Sequence, residues 1–294
     1  MGTMTQSATE RVILMRNTPM SAREWQELTN VPGVTSISAD TGDLALIRQQ
    51  GELALYWQFE DLDSMRQHFQ PMFEEMRPEI SEADVDFVTM DLVQVRDRDW
   101  LKPLLDDASF TFFAEWMDMT HPGLDPDAIP EFPEGLTMRR AGDGEVERMF
   151  EIWNAAYGEL GRAAGTFDAY LNLHSWAGVL EQDEKIVGFA INGSVHAAQG
   201  TILEIAVDPE HWGNGYGRML LAAASYQLTT QDARRATIRV RPDVKQSLRI
   251  CSDAGFRPGM AGLEYRRPTD EDLIAERLDA KRRAGVKARF GGWR

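Results

Sequence analysis

Cysteine is almost absent: Cys251 is the single one in 294 residues. That excludes an internal disulfide and any multi-cysteine zinc site, and a reducing cytoplasm is the expected setting. Long apolar runs are missing too. The longest uncharged one, residues 219–226, is far below the roughly 18 residues a membrane span needs. The first 16 residues carry polar and acidic groups early and no apolar core of signal-peptide length. Basic charge is scarce in one half only. Residues 1–134 hold 9 Lys plus Arg against 26 Asp plus Glu, whereas 135–294 hold 22 against 21. The acidic half repels nucleic acid and anionic membrane, so neither is an expected partner. A small anionic ligand belongs on the second half. What is present, 43% hydrophobic and 27% charged residues, suits a globular chain with a real core. The length suggests two domains.

Residues 11–16 (RVILMR) read as a short strand. Residues 21–30 read as a helix, with Ser21 and Glu24 in capping-box spacing. A hairpin is expected over 44–59, a helix over 63–79, a strand over 86–95, a short helix over 99–108 and a strand over 110–119. Residues 121–135 (HPGLDPDAIPEFPEG) hold four prolines. Such composition marks a linker, placed at 126–134 between a first domain, 1–125, and a second, 135–267. The second half restarts with a strand (136–140), helices (144–160 and 167–176), a hairpin (178–192), a buried strand (201–207), a glycine-rich loop and a helix (218–230). A strand (237–241), a helix from 243 with Asp243 as N-cap, and a strand pair (256–267) complete it. This mixture of elements implies a mixed α/β sheet with helices on both faces. The order hairpin, helix, strand, helix, strand occurs in both halves. Asp107-Ala108-Ser109-Phe110 is echoed 146 residues later by Asp253-Ala254-Gly255-Phe256, which points to an internal duplication.

The segment VDPEHWGNGYGRMLLAAA, 207–224, is the most informative. A buried strand ends, and Gly213, Gly215 and Gly217 alternate directly before a helix. Glycines let a backbone approach a ligand closely. The first N–H groups of the helix have no internal partner, and its dipole favours an anion there, so the loop is a candidate phosphate cradle, with Arg218 as an added cation. A dinucleotide fingerprint needs a third glycine where Arg218 stands, and no P-loop Lys-Ser/Thr pair follows the glycines.

With Val207-Asp208-Pro209 ahead of Trp212-Gly213-Asn214-Gly215-Tyr216-Gly217, and Gly255-Phe256 closing a later helix, the chain resembles the GNAT N-acetyltransferase superfamily over about 135–267. Trp212 stands where that family usually has Arg or Gln. The resemblance implies two GNAT-like domains, each a mixed, mostly antiparallel sheet flanked by helices. The second would be catalytic and the first a degenerate copy without CoA. It implies acetyl-CoA as co-substrate and no metal. Residues 212–218 would hold the pyrophosphate, and Ile205 and Val207 the pantetheine arm, with the Val207 N–H stabilising the oxyanion.

Amine acetylation needs a proton acceptor on the amine and a proton donor to the leaving thiolate. Glu204 lies inside the apolar run ILEIAV, where a carboxylate is costly unless paired or working. It is a base candidate, its alternative being an ion pair with Arg239; Thr201 is a fallback that could orient a water. Cys251 falls where the resemblance implies a Tyr general acid, and its alternative is a small buried helix residue. Trp153, Tyr157 and Phe167, with Tyr170 and Trp176, offer aromatic walls for an acceptor, or an ordinary helix core. His174, His196 and His211 have no metal-ligand spacing. The expected reaction is transfer of an acetyl or short acyl group from acyl-CoA to a primary amine, on a small molecule or peptide, by direct attack in a ternary complex. A non-catalytic acyl-CoA sensor is the alternative. The C-terminal stretch 268–294 turns basic after 277 and could dock on the acidic half, in cis or across a homodimer.

Overall fold

A computed structural model describes residues 12–49, 51–93, 99–158 and 164–275. The basic stretch from 276 onward lies outside the described residues. The chain divides into two compact units. One comprises the chain through Phe113 together with the segment from Glu264 onward, and the other is Ala114–Leu263.

In the first unit, β1 (Met15–Arg16) precedes α1 (Ala22–Thr29). The capping box forms as its spacing predicts: the Ser21 hydroxyl accepts from the Glu24 N–H, and the Glu24 carboxylate accepts from the Ser21 N–H at 2.7 Å. Then β2 (Thr35–Ala39), β3 (Gly42–Gln49) and β4 (Glu52–Phe59) make an antiparallel meander. The short polar run TSISA of β2 carries too little apolar alternation to announce itself. The helix expected over 63–79 is two, α2 (Leu62–Glu75) and α3 (Arg77–Glu82), because Pro78 has no N–H to continue the ladder and sits in the first turn of α3. Met65, Phe69, Met72 and Phe73 of α2 are buried as their spacing requires. β5 (Phe87–Val93) returns parallel to β4, with Leu53 opposite Val88 and Ala54 opposite Thr89. α4 (Lys102–Asp107) leads into β6 (Thr111–His121).

β3 lines one edge of β4 along its whole length, so β1 and β5 share the other. β1 takes the end that β5 leaves, pairing Met15 with Phe59 and Arg16 with Gln58. The Asn17 side chain accepts from the Trp57 N–H at 2.8 Å and donates to the Leu55 carbonyl at 2.9 Å. Its own carbonyl accepts from the Val93 N–H at 2.8 Å. The edge between β4 and β5 is thus closed by the chain's own N-terminal segment.

In the second unit, which holds β6 from Ala114, β7 (Leu136–Arg140), α5 (Val146–Tyr157), α6 (Ala164–Leu173), β8 (Trp176–Gln182), β9 (Lys185–Asn192) and β10 (Gln199–Val207) are followed by α7 (Tyr216–Thr229), β11 (Arg235–Val240), α8 (Lys245–Asp253) and β12 (Arg257–Pro268), whose residues from Glu264 belong to the first unit. The strand order is β7-β8-β9-β10-β11-β6, antiparallel except for the parallel pair β10 and β11. One face is covered by α5 and α6 over Met149, Ile152, Trp153, Phe167, Phe189 and Ile191. The other is covered by α7 and α8 over Leu180, Val187, Ile202, Leu220, Leu228 and Phe256. The proline-rich stretch 126–134 lies between β6 and β7 inside this unit, with Phe132 packed on its core. The expected final strand pair is the single long β12. Asp243 does not cap α8. Its carboxylate is bound by the Arg241 guanidinium at 2.6 and 3.0 Å, which holds it below the usual carboxylate range, and Val244 stands at the N-cap.

The two echoed segments share backbone geometry. Ser109 (φ 61) and Gly255 (φ 87) both adopt the left-handed conformation after their helices. The Phe110 N–H donates to the Leu105 carbonyl at 2.8 Å, and the Phe256 N–H to the Cys251 carbonyl at 3.0 Å. Both are Schellman-type helix ends with a buried Phe behind them.

Candidate functional site

β10 and β11 pair only from Gln199–Arg235 to Ile202–Ile238. Just beyond, the register of β10 on β9 steps from Ile202–Asn192 to Glu204–Ile191, which leaves Leu203 as an extra residue. Such a bulge bends the strand and resets its alternation. Ile202, Ile205 and Val207 join the core under α7, whereas Leu203 and Ala206 join the core under α5. Glu204 goes with the α5 side, where the Trp153 indole N–H donates to its Oε2 at 3.0 Å. Past the bulge, a cavity of about 410 Å³ opens beside β10, β11, α8 and the glycine loop.

The backbone of β10 offers this cavity an open edge. The Asp208 N–H donates to the Val187 carbonyl of β9 at 2.9 Å. Backbone groups along an antiparallel strand alternate between edges, so Ile205 and Val207 aim theirs away from β9. Three side chains meet them. The Tyr157 hydroxyl donates to the Ile205 carbonyl at 2.6 Å, Glu204 Oε1 accepts from the Ile205 N–H at 3.0 Å, and the Trp212 indole N–H donates to the Val207 carbonyl at 2.8 Å.

At one end of the cavity lies the glycine loop. Gly213 (φ 87) and Gly215 (φ 84) are left-handed, and a Cβ at either would meet nothing within 4 Å. Conformation therefore demands glycine there, and open space faces the loop. Gly215 is the N-cap of α7 and has no side chain to close over the helix start. The N–H groups of Tyr216 and Gly217 have no carbonyl within the helix to bind. Gly217, expected in the loop, belongs to the first turn of α7. A Cβ on it would press on Ile250 Cδ1 at 3.3 Å, so its role is close packing of α7 on α8.

Of the residues singled out from the sequence, Glu204, Ile205, Val207, His211, Trp212, Gly213, Gly215, Tyr216, Gly217, Tyr157, Arg239 and Cys251 line the one cavity. Asn214 and Arg218 do not line it; the Arg218 guanidinium binds Asp253 at 2.7 Å, tying α7 to α8. Trp153 and Phe167 do not wall it either. Each is 1% exposed, and their rings pack 5.5 Å apart in the core under α5. Thr201 stands before the bulge, outside the cavity lining. Arg239 pairs with Asp118 at 2.8 Å and stacks 3.7 Å over the Trp116 ring. Glu204 is 6% exposed and Cys251 3%. Burial pushes the Cys251 thiol up to about 11. Gln246, expected from the sequence only at the capping-box position of Asp243, lines the cavity instead, and with Ser247 and Ile250, which sequence reasoning overlooked, and Cys251 it presents one face of α8 there. Their i, i+1, i+4, i+5 spacing was the available signal.

The sequence model of the acetyltransferase (GNAT) family matches residues 146–256. The second unit thus contains a GNAT-family acetyltransferase domain, over residues 146–256. Acetyl-CoA-dependent N-acetyl transfer is the general reaction of that family. No curated protein matches the chain. Solved structures do. A GCN5-related N-acetyltransferase from Sphaerobacter thermophilus shares 20% identity over 78% of this chain and 77% of its own, at a TM-score of 0.57. One from Kribbella flavida shares 16% over 83% and 92%, at 0.55. A tandem GNAT protein from the clavulanic acid biosynthesis pathway shares 14% over 81% and 84%, at 0.54. These likenesses establish fold. Because the second unit is about half the chain, matches over four fifths of it reach into the first unit, in keeping with a tandem arrangement of GNAT-like folds. Among the described residues, no cluster of three His, Cys, Asp or Glu side chains suited to a metal is found, and no helix is long and apolar enough to cross a membrane.

Proposed function

We propose that the GNAT domain moves an acetyl or short acyl group from acyl-CoA to a primary amine by direct attack in a ternary complex. The observation that carries this reading is one cavity joining an anion-ready glycine loop, an open strand edge and a buried carboxylate. The free space over Gly213 and Gly215 fits a diphosphate, which the N–H groups of the loop and of the α7 start would bind. The amides of the pantetheine arm would run along Ile205 and Val207, and the Val207 N–H would polarise the thioester carbonyl. The thioester supplies an activated acyl carbon. Glu204, its geometry held by the Trp153 indole, would take the ammonium proton directly or through a water. Tyr157, which lines the cavity from the end of α5, would wall the acceptor side. Cys251 keeps its proton through neutral pH, so it would donate a hydrogen bond to the departing sulfur. Full proton transfer from so weak an acid is unfavourable.

That weak acid also favours a second reading, an acyl-CoA sensor that binds without turnover. The first unit would be a degenerate copy that takes no acyl-CoA. Supporting this, β1 and Asn17 occupy the edge between β4 and β5 that corresponds in strand order to the open edge of β10. Calorimetry with acetyl-CoA is expected to give one site per chain, and an amine panel is expected to release CoA. Binding without release by any amine favours the sensor, and no heat at all ends both readings.

A further inference from the structure

Trp212 stands against the open edge of β10 in an unusual way. Its indole N–H is bound to the Val207 carbonyl at 2.8 Å, and its ring lines the cavity. The carbonyl it occupies is one that β11 has abandoned and that β9 does not face. The residue is nevertheless 56% exposed. It follows a 3₁₀ turn, Pro209–His211, and precedes the left-handed Gly213, so no regular element fixes it. Tyr157, which caps the neighbouring Ile205 carbonyl, differs: it ends α5, is half-buried, and packs with its ring 6.5 Å from that of Trp153. The edge thus carries one anchored cap and one that sits on a hinge.

We propose that Trp212 is a displaceable gate. In the free protein it satisfies the Val207 carbonyl, and a ligand bearing an amide chain replaces it there, swinging the indole out of the cavity. The inference rests on the acyl-CoA reading of this cleft and adds to it a residue that selects for the arm of the ligand rather than for its phosphates. A nucleotide phosphate on the loop does not need Val207 freed. The arm of CoA, with two amides, does. A neutral hydrogen bond of this kind favours the closed form by about two- to tenfold, and binding that requires the open form is weakened by about the same factor.

The test is calorimetry with two ligands, acetyl-CoA and adenosine 3′,5′-bisphosphate, on wild type and Trp212→Phe, which keeps a ring but lacks the N–H. The variant is expected to bind acetyl-CoA about three- to tenfold more tightly and the bisphosphate with unchanged affinity. Trp212→Met, which also lacks the donor, serves if the Phe variant folds poorly. Acetyl-CoA is also expected to shift the tryptophan emission of wild type, with that component absent from the Phe variant. Equal or weaker acetyl-CoA binding by the variants, or a gain shared with the bisphosphate, overturns the gate while leaving the acyl-CoA reading intact. Absence of acetyl-CoA binding by wild type overturns both.

Discussion

Gly215 offers a way to separate backbone strain from ligand electrostatics. It caps α7 at φ 84 and ψ 2, and an added Cβ meets nothing within 4 Å. Gly215→Ala therefore costs only the left-handed strain, about 1–2 kcal/mol, or roughly 2–8 °C in melting temperature for a domain of this size. Gly215→Glu carries the same strain, offset by about 0.3–1 kcal/mol because a carboxylate is favoured at a helix N-terminus. Glu is thus expected to be no less stable than Ala. Binding is expected to run the other way. A carboxylate about 5 Å from one diphosphate charge, at an effective dielectric of about 20, costs roughly 3 kcal/mol. Screening at this open loop reduces that figure, and a loss of at least about tenfold in acetyl-CoA affinity beyond that of the Ala variant remains. Scanning calorimetry and titration calorimetry on the same three proteins give both orders. Equal acetyl-CoA affinity in the Ala and Glu variants would refute the placement of a diphosphate on this loop.

Glu204→Gln keeps an acceptor for only one of its two donors, the Trp153 indole and the Ile205 N–H, so a loss of about 1–3 kcal/mol in stability is expected, with the protein still folded, while amine-dependent CoA release falls by about 10²-fold or more. Cys251, 3% exposed and with its thiol raised to about 11, is expected to resist iodoacetamide at pH 8 in the native protein and to react fully once unfolded; native labelling at the unfolded rate contradicts its burial. The same raised value contributes stability fully below pH ~8.5, the unfolded value, and loses it as pH climbs towards 11, which a denaturant series from pH 7 to 11 would register. Asn17→Ala leaves the Trp57 N–H and the Leu55 carbonyl without their partner. It is expected to destabilise the first unit by about 1–3 kcal/mol in urea while leaving acetyl-CoA affinity unchanged; a loss of affinity would contradict a CoA site confined to the second unit.

Local chemistry was legible in the linear order of residues. The Ser21–Glu24 capping box, the hairpin of β3 and β4, the strand Leu136–Arg140 and the left-handed glycines at 213, 215 and 255 all depend on neighbours a few positions apart. The Gly-Phe echo was legible for the same reason, since a helix end is a local structure. What composition alone could not resolve were alternatives of equal local cost. Trp153 and Phe167 suit a ligand wall as well as a core. Only the packing of α5 and α6 on the sheet buried them, whereas Tyr157, four residues after Trp153, reaches the cavity. Asp243 has the spacing of an N-cap, yet Arg241 claims it, because a charged partner outcompetes a backbone N–H.

The sequence by itself determined where the chain can turn left-handed, where helices begin, and which loop can receive an anion, because those properties belong to single residues and their near neighbours. Tertiary structure alone decided the direction of Glu204, since an extra residue at Leu203 resets the strand's alternation only when β9 holds the register. It also decided that β10 keeps an open edge while the corresponding edge of β4 is filled by residues 15–17, some forty positions away in the chain. Strand pairing is a bond between distant segments, and no window along the sequence contains both partners.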